Sequence, residues 1–259
     1  MDLGLEGKKA VVCASSRGLG RGCAFHLADA GCEVVFNGRN EEVTIATARE
    51  IAEMTGARVT PVIADVSTPE GQELLLKACP EPDILVNNNA GPPLRDYREL
   101  SRQDMFDGVI NNMVTPIELV QKVADGMAAR KFGRIVNITS SSVYNAIPGL
   151  DLSSGARAGL TSFLAGVARK LAGDNVTINN ILPGKFDTDR LRSNHVKAAE
   201  QRGISLDEVR AREAAQIPAG RFGEADEFGA LCAFLCSTHA GYITGRNFLI
   251  DGGLNQSAF

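Results

Sequence analysis

Four sets of residues in this chain have types and spacings that can do chemistry. The first is the run Cys13-Ala14-Ser15-Ser16-Arg17-Gly18-Leu19-Gly20, which follows an apolar stretch and leads into a helical pattern. Glycines at 18 and 20 let backbone N–H groups approach a diphosphate whose charge then sits at a helix N-terminus. The second is Asn37-Gly38-Arg39, at the end of the next apolar run. Where an NAD site carries an acid to hold the ribose 2′-hydroxyl, Gly38 carries none. Arg39, with Arg17 across the first turn, offers planar forks of donors suited to a 2′-phosphate. Together these predict NADP rather than NAD. The third set is Ser140 and Tyr144, hydroxyls at and just past the end of another apolar run, and the fourth is Lys185, an ammonium beside Pro183-Gly184. The three histidines (26, 195, 239) and six cysteines (13, 23, 32, 79, 232, 236) show no metal spacing and no CxxC pair. Cys232 and Cys236 fall on one helix face, and all six read as small buried hydrophobes in a reducing compartment. No GxSxG elbow is present, which disfavours a hydrolase.

Positioning these groups requires a regular frame. Short apolar runs begin at residues 9, 33, 59, 83, 134, 177 and 247, bounded by Gly, Pro, Asn or Asp. They lack the alternation of half-exposed strands and read as buried parallel ones. Between them lie helical patterns, roughly 19–30, 41–55, 69–78, 103–130, 153–172, 190–215 and 224–237. Strand and helix in alternation predict a single Rossmann domain over residues 1–259, a doubly wound seven-stranded parallel sheet with helices on both faces. Residues 189–221 are charged and polar with helical spacing; after the sixth strand they would lie over the ligand crevice as a substrate-covering segment.

Composition narrows the class. With 44% apolar and 22% charged residues of mixed sign, 259 residues can bury a large single core. A net charge of −4 argues against a nucleic-acid partner. No run reaches the roughly 20 apolar residues that span a bilayer, and the N-terminus has no secretory pattern. The expectation is a cytoplasmic protein with no membrane partner.

Read in order, the motifs resemble those of the short-chain dehydrogenase/reductase family along almost the whole chain, closest in pattern to 3-oxoacyl-carrier-protein reductases. The first turn is similar to TGxxxGxG, with Cys13 and Ala14 for Thr and the first Gly. Alanine fits there if its φ stays negative. Asp65-Val66 corresponds to the pair set against the adenine, Asn88-Asn89-Ala90-Gly91 to the NNAG signature, and Pro183-Gly184 with Thr188 to the PGxxxT segment at the nicotinamide carboxamide. The tail, Arg221-Phe222-Gly223-Glu224 through Asp251-Gly252-Gly253, resembles the segment that builds a tetramer interface in relatives, implying a homotetramer or a homodimer.

For catalysis the resemblance implies an Asn, a Ser and a YxxxK pair. Asn112 matches the asparagine that holds a water, with Asp104 eight residues earlier and Asn111 leaving a one-residue ambiguity; Ser140 matches the serine on the substrate carbonyl. Where the tyrosine and lysine belong, this chain has Ser153 and Arg157, and no YxxxK occurs elsewhere. Arg157 keeps the positive charge for the nicotinamide ribose, but the usual proton donor is absent. Tyr144 or Lys185 are the candidate replacements. The reading is an NADP-dependent oxidoreductase interconverting a ketone and a secondary alcohol on a small-molecule substrate. Two alternatives stay open: an NADP-binding protein with little redox turnover, and a lyase or dehydratase on the same scaffold.

Overall fold

Seven short strands carry apolar side chains on both faces, and this dictates a sheet covered on both sides. In the computed structural model, residues 1–92 and 94–257 are described. The strands are β1 (Lys9–Val12), β2 (Glu33–Gly38), β3 (Val59–Ile63), β4 (Ile84–Asn87), β5 (Gly133–Ile138), β6 (Val176–Pro183) and β7 (Asn247–Ile250). All pair in parallel, in the order β3-β2-β1-β4-β5-β6-β7. The predicted doubly wound, seven-stranded sheet is the one observed. Alternate residues serve opposite layers. Ala10 and Val12 join Leu27, Phe36 and Phe228 on one face, while Val11 and Cys13 join Leu119, Met127, Ile135 and Leu164 on the other.

The first face is covered by α1 (Gly18–Asp29), α2 (Glu41–Thr55) and α9 (Ala225–Cys236). On the second lie α3 (Pro69–Ala78), α4 (Arg102–Val109), α5 (Thr115–Ala129) and α6 (Asp151–Leu171). Two sequence expectations need correction. The helix expected over 103–130 is interrupted: α4 passes into a π turn at Ile110–Val114 before α5 begins. The helix expected over 190–215 is two, α7 (Asp189–Arg202) and α8 (Leu206–Ala214). Gly203 adopts φ 64° to end α7, and the Ser205 side chain caps α8. All six cysteines are free and buried. No helix among the described residues is long and apolar enough to cross a membrane, and no cluster of them could hold a metal ion.

A ladder of asparagines crosses the sheet. Registers Asn87↔Asn137 and Asn137↔Asn180 and the pairing of Asn180 with Asn247 align four side chains on adjacent strands. Asn87 Nδ2 donates to Asn137 Oδ1 at 2.9 Å, Asn137 Nδ2 to Asn180 Oδ1 at 2.9 Å, and Asn180 Nδ2 to Asn247 Oδ1 at 2.8 Å. Each amide satisfies its neighbour, which makes this polar row tolerable in an apolar interior. A slip of one residue between any two strands would turn one amide to the other face and strand its partner.

Candidate functional site

Strand order reverses between β1 and β4, and the crevice beyond their carboxyl ends is where such sheets bind ligands. The turn after β1 is shaped by close backbone approach. A Cβ on Gly20 would meet the Ala14 carbonyl at 2.6 Å and Asn88 Nδ2 at 2.8 Å, so no larger residue fits beneath the turn. Ala14 does not keep the negative φ expected of it: its φ is 45°. This left-handed conformation costs an alanine about 1–2 kcal/mol. It is held by Ala14 N–H donating to Asn37 Oδ1 (3.1 Å) and by Asn88 Nδ2 donating to the Ala14 carbonyl (2.9 Å).

That clamp changes the part played by two expected cofactor residues. Ser15 is fully buried, its hydroxyl donating to the Val12 and Asn37 carbonyls and accepting from Asn37 N–H. The Asn37 amide is spent on Ala14 N–H and the Val62 and Ala64 carbonyls. Their side chains tie three strand ends together. Ser16, Arg17 and Arg39 line an open cleft of about 140 Å³, with Asn37, Gly38, Asp65, Val66 and Asn89.

At Gly38 the absence of an acid is enforced by packing, because a Cβ there would lie 2.2 Å from Thr44 Oγ1. The cleft's cations are loosely held: Arg39 Nη1 is 3.7 Å from Asp65 Oδ2 and Arg17 Nη1 is 3.9 Å from Asp189 Oδ2, all well exposed. Burial pushes the Asp65 carboxyl up, but hydrogen bonds from Ser67 and the charge of Arg39 outweigh it and hold the group below its ordinary range. Gly18 and Leu19 open α1, with the Thr188 methyl 3.4 Å from where a Gly18 Cβ would stand. Thr188 itself caps α7, its hydroxyl accepting from Leu191 N–H. Ala90 and Gly91 continue the loop past Asn89, whose amide bonds Ala90 N–H and the Asn111 carbonyl. Pro183-Gly184 ends β6 against Asp251, and Gly184 N–H donates to the Ile250 carbonyl. A diphosphate-bearing nucleotide with a further phosphate fits these residues: a turn without side-chain obstruction, an open cleft, and two guanidinium groups not committed to close ion pairs.

The expected catalytic residues lie farther along the same crevice. Ser140, two residues past β5, caps a short turn, Oγ accepting from Ser142 N–H at 3.1 Å while its own proton stays available. Tyr144, just beyond, is half-exposed, and its hydroxyl bonds no described residue. Ser153 is buried in the first turn of α6, its Oγ accepting from Arg157 Nε at 3.1 Å. Arg157 is 8% exposed and donates from Nη1 to the Ile138 carbonyl at 2.6 Å and from Nη2 to that of Asn89 at 3.4 Å. Burial, with Arg190 adding repulsion, lowers this guanidinium to about 10, which leaves it charged at neutral pH.

Asn112 sits in the π turn, and the wider turn buries its side chain while Asn111 stays partly exposed. Such turns recur at functional positions. The Asn112 and Asn87 Oδ1 atoms and Thr115 Oγ1 have no partner among the described residues, and all three residues line a cavity of about 20 Å³ beside Arg157. That volume and those acceptors suit one ordered water.

Lys185 is held in an ion pair. Its Nζ bonds Glu213 Oε2 at 2.9 Å, and His195 Nε2 lies 3.3 Å from the same oxygen, itself 1% exposed. The segment carrying Glu213 and His195 is anchored by Asp187, which accepts from Arg192 (3.0 Å) and Arg210 (3.1 Å). These bonds hold the Asp187 carboxyl down at about 2. Sequence reasoning missed two features. Arg190 is one charge among many in a polar segment, and the ladder's signal is an asparagine in each of four strands, two of which carry other polar residues, Arg134 in β5 and Thr177 and Asn179 in β6.

The geometry agrees with the comparisons. Residues 13–255 match the family described as enoyl-(acyl carrier protein) reductase. The 3-oxoacyl-(acyl-carrier-protein) reductase FabG of Aquifex aeolicus is 31% identical over 258 residues, covering 98% of this chain and all of that one. The corresponding reductase of Vibrio cholerae is 31% identical over 256 residues, 97% of this chain and 99% of that one. Among solved structures, L-sorbose reductase from Gluconobacter frateurii complexed with NADPH and L-sorbose superposes with a TM-score of 0.94 at 27% identity, covering 99% of this chain and 100% of that one. YwfH, an NADPH-dependent reductase of bacilysin biosynthesis, gives 0.91 at 27% identity, covering 97% and 100%. On this evidence the chain belongs to the short-chain dehydrogenase/reductase family of oxidoreductases.

Proposed function

We propose that the protein is an NADP-dependent reductase interconverting a ketone and a secondary alcohol, of the 3-oxoacyl-reductase type. The observation that carries the cofactor choice is the cleft at the end of β2. Arg17 and Arg39 border it, and packing against Thr44 excludes an acid at position 38. Arg17 and Arg39 would grip the 2′-phosphate, Asp65 and Val66 would flank the adenine, and the turn through Gly18, Leu19 and Gly20 would hold the diphosphate. Asn89, Ala90 and Gly91 would border the adenosine side, and Pro183, Gly184 and Thr188 the nicotinamide side. When bound, the nicotinamide supplies a hydride to the carbonyl carbon. The similarity to the NADPH-dependent reductase YwfH and to the NADPH complex of L-sorbose reductase supports this reading.

Ser140 would donate its free proton to the carbonyl oxygen and fix its orientation. With Ser153 bonded to Arg157 and Lys185 bonded to Glu213, Tyr144 is the unpaired phenol near Ser140 and would deliver the proton; the unpaired Ser142 hydroxyl is buried and a far weaker acid. Asn112 and Thr115 would hold the water in the cavity beside Arg157 and link the site to solvent. The helical segment from Asp189 to Ala214 would cover the substrate. The resemblance of the C-terminal segment to the interface of relatives supports a homotetramer, which sedimentation velocity would distinguish from a homodimer or monomer.

A second reading has its own observation. Arg157 is pinned by three bonds to Ser153, Ile138 and Asn89, a rigid arrangement that suits a cofactor-binding protein without turnover. Following NADPH absorbance with 3-oxoacyl thioesters, small diketones, cyclic and aryl ketones and quinones decides between them. Steady oxidation with one class supports the reductase. Confirmed NADPH binding with no oxidation across the panel supports the second reading.

A further inference from the structure

Around the crevice, arginines are matched with acids, with two exceptions. Arg17 faces Asp189, Arg39 faces Asp65, and Arg192 and Arg210 share Asp187. Arg157 and Arg190 face no carboxylate among the described residues. Arg157 is buried, and its three acceptors are two backbone carbonyls and one hydroxyl, all neutral. Arg190, on the first turn of α7, donates only to the Pro92 carbonyl, at 2.8 Å. The two guanidinium groups converge on Gly91: a Cβ there would lie 2.8 Å from Arg190 Nη1 and 3.6 Å from Arg157 Nη2.

Two like charges brought together, one of them out of water, oppose folding unless an opposite charge joins them. Carbonyl acceptors orient a guanidinium but do not neutralise it. A fork of donors left over from such bonding matches the oxygens of a carboxylate or phosphate. The position narrows what can arrive there. Arg190 follows Thr188, which stands over Gly18 of the phosphate turn, and Arg157 bonds the carbonyl two residues before Ser140.

We propose that Arg157 and Arg190 form a binding site for an anionic group, a carboxylate or phosphate, at the junction between the phosphate turn and Ser140. Two molecules can bring that group: the diphosphate of the cofactor, or a carbonyl substrate bearing its own acid. Only the choice between these sources rests on the reductase reading; the anion site itself does not.

The test is isothermal titration of the full-length, ligand-free protein with sodium pyrophosphate, sodium malonate and the neutral diester dimethyl malonate at fixed ionic strength. At least one anion should bind saturably, the diester should not, and Arg190→Gln should weaken binding about tenfold or more. Arg190→Lys, which keeps the charge, should recover part of the loss. Arg190 is exposed, so these variants leave the core untouched, whereas changes at buried Arg157 risk the fold. No saturable binding of either anion overturns the proposal, as does binding that Arg190→Gln leaves unchanged. Malonate that still binds NADPH-saturated protein supports the site and assigns it to an acidic substrate; pyrophosphate binding displaced by NADPH supports it and assigns it to the cofactor. Saturable anion binding in a protein that fails to bind NADPH removes the reductase reading and leaves the anion site standing.

Discussion

Replacing Arg39 with alanine separates the two nicotinamide cofactors, and the structure sets the size of the effect. A hydrogen bond from a guanidinium to a phosphate contributes about 1.5–3 kcal/mol. Arg39 is 71% exposed, so water and salt reduce its share, and the lower end of that range applies. Its loss also leaves Asp65 without the cation 3.7 Å away. Ser67 still holds that carboxylate ionised, so it would repel the phosphate. Together these give about 1.5–2 kcal/mol, or roughly tenfold to thirtyfold weaker NADPH binding. NADH has no 2′-phosphate and should change about twofold or less on the same scale. Fluorescence titrations of both cofactors, repeated at high salt, read the difference directly; the gap should narrow as salt rises. Equal loss for NADPH and NADH would refute the assignment of Arg39 and, with it, the cofactor choice.

Three further outcomes follow from the geometry. Tyr144→Phe should lower turnover by about tenfold or more while leaving NADPH affinity intact, since a positioned acid is worth ~10²–10⁴; unchanged kinetics would remove this phenol from the mechanism. Asn137→Leu takes out the middle of the asparagine ladder, leaving Asn180 Oδ1 buried without a partner and Asn87 Nδ2 with only its 3.4 Å bond to the Pro116 carbonyl. One stranded acceptor costs about 1–3 kcal/mol, read as a lower midpoint in denaturant, and an unchanged midpoint would show the ladder to be neutral. The third concerns acid. Asp187 titrates near 2 in the folded protein, below the ~3.9 of an unfolded aspartate. Its contribution is therefore complete above about pH 4 and is lost as pH falls towards 2. Limited acid proteolysis should cut between 189 and 214 first, and Asp187→Asn should produce the same susceptibility at neutral pH; protection in both would exclude the anchor.

The strands are legible because each is a short apolar run, most of them closed by Asn, Asp, Gly or Pro, and both faces of the sheet demand apolar side chains. What escaped the sequence depended on contacts between distant segments. The π turn at Ile110–Val114 is announced only by Pro116, which cannot donate to the Asn112 carbonyl four residues earlier, and a proline there reads equally well as the start of a new helix. Gly203 marks the break between α7 and α8, but a lone glycine inside a helical pattern is readable either way. Ala14 takes a conformation that alanine disfavours because Asn37 and Asn88 hold it from strands far along the chain. Ser15 and Asn37 stand at the right places for ligand contacts, but the Ser15 hydroxyl is used on the Val12 carbonyl and the Asn37 backbone, and the Asn37 amide on Ala14, Val62 and Ala64. Arg190 became conspicuous only when the fold set it beside Arg157 with no acid between.

The asparagine ladder has a direction. Every amide in it donates from β4 towards β7, so the three bonds point the same way and each polarises the next. Turning one amide over would set donor against donor on one side and oxygen against oxygen on the other. The row therefore keeps a single collective orientation. Its oxygen end is Asn87 Oδ1, which has no protein partner and belongs to the small cavity that Arg157 also lines. Side chains of β5, β6 and β7 thus act like a short bar magnet embedded in the sheet, with its negative pole at the cavity. Even a substitution at Asn247, three strands away, would weaken the field at that pole.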